Sequence, residues 1–474
     1  MKKAVAVLAV CVAILPSAAR AAVTFEFIFD DGTLHAVSAD GSVVTGNTQT
    51  SGNTTAFRWT QATGLVSLGR PMLVGGAGVP DISADGTRIA FGIGSLDGTY
   101  TTHGLWTFGS GWQELMPPPP ADGGTQDGSY GSVWGLSGDG NTVVGLFNRP
   151  GQGNRAHASK WTQATGVVDL GGTTTGQASR ANAVNYDGSV IGGWVETPQG
   201  PWRPAVWANG SLQLLTNYDP LTNEGIGEVR AANQTGDIIT GFARSAVDSP
   251  RGVAKWTRVS GTFGDVEFLG WVDGTETTGL NVPYAVSNNG KVIVGYCTFD
   301  GSPFNTTGFI WTEATGVQDI NTWLADNGVL VDPNFTIQSL GAMTPDGTQI
   351  FGHGQMLTPP YTRRAFRITV PPTVSVPEPR LHARLELSPP RPNPSTSSIR
   401  LDFALESAGP VDLSVYDASG RRVATLLHSE LPAGRRSVSW DGREESGRPV
   451  GAGLYFARLI TPQGSALRRI VRMH

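Results

Sequence analysis

The stretch HAVSADGSVVTG (35–46) is restated six times along the chain: PDISADGTRIAFG (80–92), WGLSGDGNTVVG (134–145), NAVNYDGSVIGG (182–193), RAANQTGDIITG (230–241), YAVSNNGKVIVG (284–295) and GAMTPDGTQIFG (341–352). The turn glycines, Gly41, Gly86, Gly140, Gly188, Gly236, Gly290 and Gly347, lie 45 to 57 residues apart. Each unit carries a second anchor 18 to 21 residues further on: AFRWT, GLWTF, ASKWT, PAVWA, VAKWT, GFIWT and finally AFRIT (365–369). A third strand often follows, as in GLVSLG (64–69), GVVDLG (166–171), VEFLG (266–270) and GVQDI (316–320). No other property of the chain restricts its fold as much as this period.

Each unit reads as an apolar-alternating strand, a tight turn and a second strand. Asp-Gly and Asn-Gly are the residues that primed two-residue hairpin turns require, because both central positions there have positive φ. One small sheet cannot bury its own apolar face, whereas several stacked around an axis can, and a period of about 40–50 residues points to that solution. The recurring Trp supplies area between twisted sheets. The expected fold is all-β: a seven-bladed β-propeller over 22–370, with an open β array as the competing arrangement. The seventh unit ends at AFRITVPP without its outer strand, and VTFEFIF (23–29) precedes the first hairpin. This N-terminal strand is expected to complete the last blade, since an unpaired edge invites association.

"AVSADGSVV…AFRWT…GLVSLG" resembles the extracellular HAF repeat family of bacterial exported proteins, over about residues 23–370. The resemblance implies a secreted, propeller-shaped protein and supplies no activity or catalytic residues. An exported destination fits the start of the chain. Lys2 and Lys3 precede an apolar run, Ala4–Pro16, and Ala19-Arg20-Ala21 offers small residues for cleavage, so residues 1–21 read as a signal peptide. Cys11 lies inside that run behind Val10, which is too large for a lipoprotein box. Cys297 is then the one mature cysteine, in VIVGYCTFDG, and reads as a buried small hydrophobe. No later run is long enough to span a bilayer. A net charge of −5 over 474 residues gives no footprint for nucleic acid or an anionic membrane.

Composition changes at 370. VPPTVSVPEPR opens a proline-rich linker, 371–385, that cannot continue a sheet interior. From 386 to 474, short strands such as SIRLDFAL and GPVDLSVYD predict an Ig-like β-sandwich. NPSTSSIRLDFAL, LSVYDASGRRVATL, LPAGRRSVSWDG and GLYFARL are similar to the Ig-like module of flagellar hook-capping proteins and to the type IX secretion C-terminal sorting domain. The first likeness implies the fold alone. The second implies translocation across an outer membrane, then release or surface attachment, with the export and sorting machinery as partner. The basic end, Leu467 to Arg472, suits a solvated strand edge or a docking signal.

No catalytic, metal or cofactor constellation stands out. The seven histidines are scattered, there is no H-E-x-x-H and no G-x-S-x-G, and Gly151-Gln-Gly153-Asn-Arg-Ala156 leads to a strand rather than a helix. Asp40, Asp85, Asp139, Asp187 and Asp346 are explained by their turns. Positions that are equivalent but chemically different are more telling. Six residues before the turn glycine stand His35, Pro80, Trp134, Asn182, Arg230, Tyr284 and Gly341. If the strand before the turn is the inner one, His35, Trp134, Asn182, Arg230 and Tyr284 form a polar and aromatic rim at one mouth of the channel, suited to a glycan or peptide ligand. Two residues later Val37, Ile82, Leu136, Val184, Ala232, Val286 and Met343 are assigned to packing between blades. Trp59, Trp106, Trp161, Trp207, Trp256 and Trp311 are assigned to the core, and Trp112, Trp194, Trp202, Trp271 and Trp323 to strand edges. The expected function is a non-enzymatic binding or adhesion protein, exported or on the cell surface. The alternatives are a propeller-fold hydrolase or lyase acting on carbohydrate, which needs two carboxylates about 5–10 Å apart across the channel, and a structural surface-layer component.

Overall fold

The computed structural model describes residues 22–371 and 386–473, except 51–52, 74–76, 118–129, 149–154, 173–176, 199, 209, 217–226, 245–250, 276–278, 300–304, 388–389, 391, 406–408, 418–419, 432–433 and 463. The expected leader, nearly all of the proline-rich linker and most of the 151–156 motif therefore lie outside the described residues. The chain divides into two compact units at 375/376.

The first unit is built of small antiparallel sheets that follow one another in chain order, a propeller-like arrangement. The first sheet is Thr33–Val37, Val43–Thr50, Asn53–Thr60 and Gly64–Ser67. The second begins with the short Asp81–Ile82, the third with Gly131–Leu136 and the fourth with Ser179–Val184. The fifth begins with Glu228–Ala232 and the sixth with Leu280–Val286, these two being joined by a parallel bridge between Arg251 and Leu280. The seventh contains Phe335–Met343, Gln349–Met356 and Arg363–Thr369, and its outermost strand is Thr24–Asp30. That N-terminal strand runs antiparallel to Arg363–Thr369, with Thr24 opposite Thr369 and Phe27 opposite Phe366. Phe25 stacks on Phe366 at 4.8 Å, and Phe27 meets Phe335 edge-on at 4.9 Å.

The turns differ from the primed type that Asp-Gly suggested. Ser38 N–H donates to Val43 O and Gly41 N–H to Ser38 O, enclosing a four-residue loop in which Gly41, at φ 77°, takes the left-handed conformation. Asp40 is not left-handed. Its carboxylate accepts from the Ser38 hydroxyl and the Ser42 N–H, and the Ser38 oxygen in turn accepts from Val43 N–H. Ser83, Ser137, Ser287 and Thr344 repeat that last bond, and Asn185 and Asn233 make it with an amide oxygen. The signature is thus a capped loop of the Ser-x-Asp-Gly kind.

The turns also bond to one another. Ala39 N–H donates to Ala84 O, Ala84 N–H to Gly138 O, Asp139 N–H to Tyr186 O, Tyr186 N–H to Gln234 O and Asn288 N–H to Pro345 O. Gln234 N–H reaches the Asn288 side chain, and the Gln349 amide reaches Asp40 O at 3.4 Å. Between sheets lie the anchors. Trp59 packs with Phe351 and Ala365 of the seventh sheet, Trp161 with Ala90 and Leu105 of the second, and Trp256 with Val190 and Val206 of the fourth. The Trp207 and Trp256 indoles donate to Leu170 O and Thr216 O, at the outer end of the preceding sheet. In the second sheet Trp112, not the half-buried anchor Trp106, makes the equivalent bond, to Leu68 O. The helix Ile320–Asp326, capped by Asp319, buries Trp323 in the core; that residue is no edge cover.

The innermost strands are irregular at one recurring place. The register breaks between Leu34 and Ala36, Val133 and Gly135, Ala181 and Ala183, Val229 and Ala231, Pro283 and Ala285, and Leu340 and Ala342. The residue left over is His35, Trp134, Asn182, Arg230, Tyr284 or Gly341, each on a β-bulge. Facing the residue before the bulge is a glycine: Gly46, Gly145, Gly193, Gly241, Gly295 or Gly352. A Cβ on any of the six would collide with an inner-strand carbonyl oxygen, that of Glu228 in the case of Gly241.

The second unit is a β-sandwich. Glu386–Leu387, Ile399–Leu405 and Gly434–Trp440 form one sheet; Arg422–Leu431, Gly409–Asp417, Gly453–Thr461 and Gly464–Arg472 form the other. Val411, Leu413 and Val415 are buried with Leu401, Phe403, Trp440 and Leu459. The Tyr455 hydroxyl donates to Gly451 O at 3.0 Å, and Trp440 lies edge-on to its ring. The terminal strand is capped at one end, where Ser395 N–H donates to Val471 O and Met473 N–H to Ser395 O.

The glycine–bulge pairing predicts that Gly241→Ala lowers stability by about 1–3 kcal/mol. Gly172→Ala, whose Cβ would meet nothing nearer than 3.7 Å, should stay within about 0.5 kcal/mol of the parent. Urea unfolding of both variants checks this.

Candidate functional site

The inner strands line a cavity of about 230 Å³ that is partly open to solvent. His35, Trp134, Asn182, Arg230 and Tyr284 all line it, together with Pro80 and Gly341 at the equivalent positions of the second and seventh sheets. The sequence placed these side chains on a rim at the channel mouth; they stand instead mid-strand, on the bulges, within the wall. A bulge turns one extra side chain out of the alternation, so the residue between two buried neighbours is aimed inward. The next row is Val37, Ile82, Leu136, Val184, Ala232, Val286 and Met343, which the sequence assigns to packing between blades. It does reach the apolar clusters, and it also lines the cavity as an apolar collar. Tyr186, Gln234 and Asn288 follow toward the turns.

One wall holds a buried ionic cluster. The Glu228 carboxylate, 4% exposed, accepts from Arg180 at 2.9 Å and from Arg230 at 3.0 Å. Arg180 also donates to Asn182 Oδ1, and the Asn182 amide donates to Val229 O. The Arg180 guanidinium lies 4.1 Å from the Trp134 ring centre; Arg230 is within 5.7 Å of Trp134 and 5.3 Å of Tyr284. Tyr284 stacks on Tyr296, whose phenol burial pushes up. Arg180 and Glu228 escaped the sequence reading. A signal was present: they occupy one repeat position, eight residues before Gly188 and Gly236, with opposite charges.

The facing wall is different. Burial, reinforced by Arg363 and Arg230, lowers the His35 pKa to about 4, so the ring is neutral at pH 7. His35 Nε2, and on the cluster's own side Trp134 Nε1, have no hydrogen-bond partner in the protein, and both atoms are buried. Asp81 is the one carboxylate among the described cavity-lining residues. Its oxygens accept from Ile82 N–H and Leu136 N–H, tying the short inner strand of the second sheet to the third. Burial raises its pKa to about 6 against the pull of those two N–H groups.

Elsewhere, Cys297 is buried and its thiol is pushed up to about 12, chiefly by burial, which leaves it unreactive at neutral pH. Trp202, 38% exposed, stacks on buried Trp194. Among the described residues no group of three or more His, Cys, Asp or Glu side chains could hold a metal ion, and no helix is long and apolar enough to cross a membrane.

Residues 393–460 match the FlgD Ig-like domain family. No curated protein matches the chain. Among solved structures, oligogalacturonate lyase from Vibrio parahaemolyticus is similar at 12% identity and TM-score 0.47, over 74% of this chain and 98% of that one. The β-propeller domain of the Trilobed protease from Pyrococcus furiosus is similar at 9% identity and TM-score 0.44, over 72% and 94%. TolB from Acinetobacter baumannii is similar at 15% identity and TM-score 0.34 over 50% of this chain, which spans 56% of that protein. The chain is nearly all β, with small antiparallel sheets in chain order in its first unit and an Ig-like sandwich in its second.

Asp81 makes stability depend on pH in a definite direction. Its folded pKa, about 6, lies above the ordinary carboxylate value of 3.8, so its contribution is full below the unfolded pKa and is lost as pH rises through 6. Asp81→Asn should therefore improve relative to the parent by about 1–3 kcal/mol between pH 4 and pH 7.5. Paired melting curves across that range test the sign.

Proposed function

We propose that the chain is an exported, non-enzymatic binding protein. Its first unit is a seven-bladed propeller, closed by the N-terminal strand, that holds a small polar ligand in its channel. The Ig-like module directs export or surface attachment. One observation carries this reading: the inner-strand position that differs most between repeats lies on a bulge, and these divergent side chains share one cavity. A scaffold with no ligand gains nothing from six bulges, each requiring a glycine opposite, whereas a binding site gains an independently variable side chain per sheet. The circle of turn-to-turn bonds and the packing of Trp59 on the seventh sheet support closure. The HAF-repeat and type IX sorting resemblances support export, and the FlgD Ig-like match supplies the fold of the second unit.

Retention on a glycan and peptide array tests the binding role. His35→Ala and Tyr284→Ala should each lose at least about tenfold in retention while melting within a few degrees of the parent; unchanged retention overturns the site. For localisation, a chain lacking 386–474 should stay in the periplasm. Its normal release would make the module an ordinary domain.

A further inference from the structure

Resting on the channel as a binding site, we propose that its ligand is a sugar acid, a monosaccharide-sized molecule whose carboxylate docks on Arg230 and whose hydroxyls meet the opposite wall. The first argument is charge. Arg180 and Arg230 share one carboxylate, Glu228, so the cluster keeps a positive charge inside the protein. A buried charge is costly unless paired, and an incoming anion supplies the pair. Asp81 does not supply it: both of its oxygens are held by backbone N–H groups, three sheets away from Arg230.

The second argument is geometry. Arg230 donates to Glu228 through Nη1, and its guanidinium is held between the rings of Trp134 and Tyr284. The two rings restrain the guanidinium, and Arg230 lines the cavity. A planar fork held in this way matches the two oxygens of a carboxylate. Lysine would satisfy Glu228 as well but would present no such edge.

The third argument is the rest of the lining. His35 and Trp134 line the cavity on either side of the short second sheet and give it imidazole and indole surface against which a sugar ring can lie. The cavity of about 230 Å³, partly open to solvent, has room for a sugar ring. The Asp81 carboxylate on the facing wall weighs against a dianionic phosphate ester.

Calorimetric titration of the full chain at pH 7 with glucuronate, galacturonate, mannuronate, glucose, glucose 6-phosphate and glutamate tests the assignment. At least one uronate should bind ten or more times tighter than the other three classes. Arg230→Lys should lose at least tenfold for that uronate, with the variant melting near the parent. Equal binding of glucose, tighter binding of the phosphate ester or of glutamate, or an Arg230→Lys variant that binds as the parent does, overturns the sugar acid and leaves the channel as the site. If no uronate binds while array ligands are retained, the sugar acid again fails alone. If the array retains nothing either, the binding reading falls with it.

Discussion

Each bulge drives a carbonyl oxygen into the space where the neighbouring strand would carry a Cβ, and only glycine leaves that space empty. The cavity depends on this steric fit. Without Gly145, Gly193 or Gly241 the inner strand would have to run in regular alternation, and Trp134, Asn182 and Arg230 would lose their common direction. The glycine that ends VVTG, VVG or IITG is therefore as much a part of the site as the side chain opposite. It also separates two demands on one strand. The neighbours of each bulged residue, such as Val133, Ala181 and Val229, remain fully buried and hold the sheets together, while the bulged residue is free of packing duty.

Around that arrangement the forces are divided by radius. At the turn end, backbone groups bond from one sheet to the next. Further out, indoles fill the wedge between twisted sheets, each fully buried ring contributing roughly 4–6 kcal/mol of gross transfer free energy. The buried Arg180–Glu228–Arg230 cluster stands apart, because its pairing is incomplete. Networks of that kind seldom add stability, which agrees with the role proposed above for Arg230, the member of the three that lines the cavity.

Much of the architecture was legible because the repeat displays the same constraint seven times. The turn glycines, the tryptophan anchors and the N-terminal strand opposite AFRIT could be read from spacing alone. The bulges could not. One extra residue shifts register without altering the local mixture of apolar and polar side chains, so the variable position was found but set at a rim instead of in the wall. The turn type was misread because Asp-Gly serves both primed turns and capped loops; the Ser two residues earlier decides between them. Arg180 and Glu228 lie 48 residues apart in chain numbering, and an ion pair across two repeats has no trace in either taken alone. Helix Ile320–Asp326 is shorter than two full periods, and only Asp319 announced it.

The strand from which the chain leaves the first unit, Arg363–Thr369, has hydrogen-bonded neighbours on both sides, Gln349–Met356 and Thr24–Asp30. A tug on whatever follows would draw along that strand and load both ladders in shear, so their bonds resist together instead of unzipping one at a time. Were the C-terminal module ever tethered under flow, the clasp that completes the last sheet would also be the mechanical lock of the first unit.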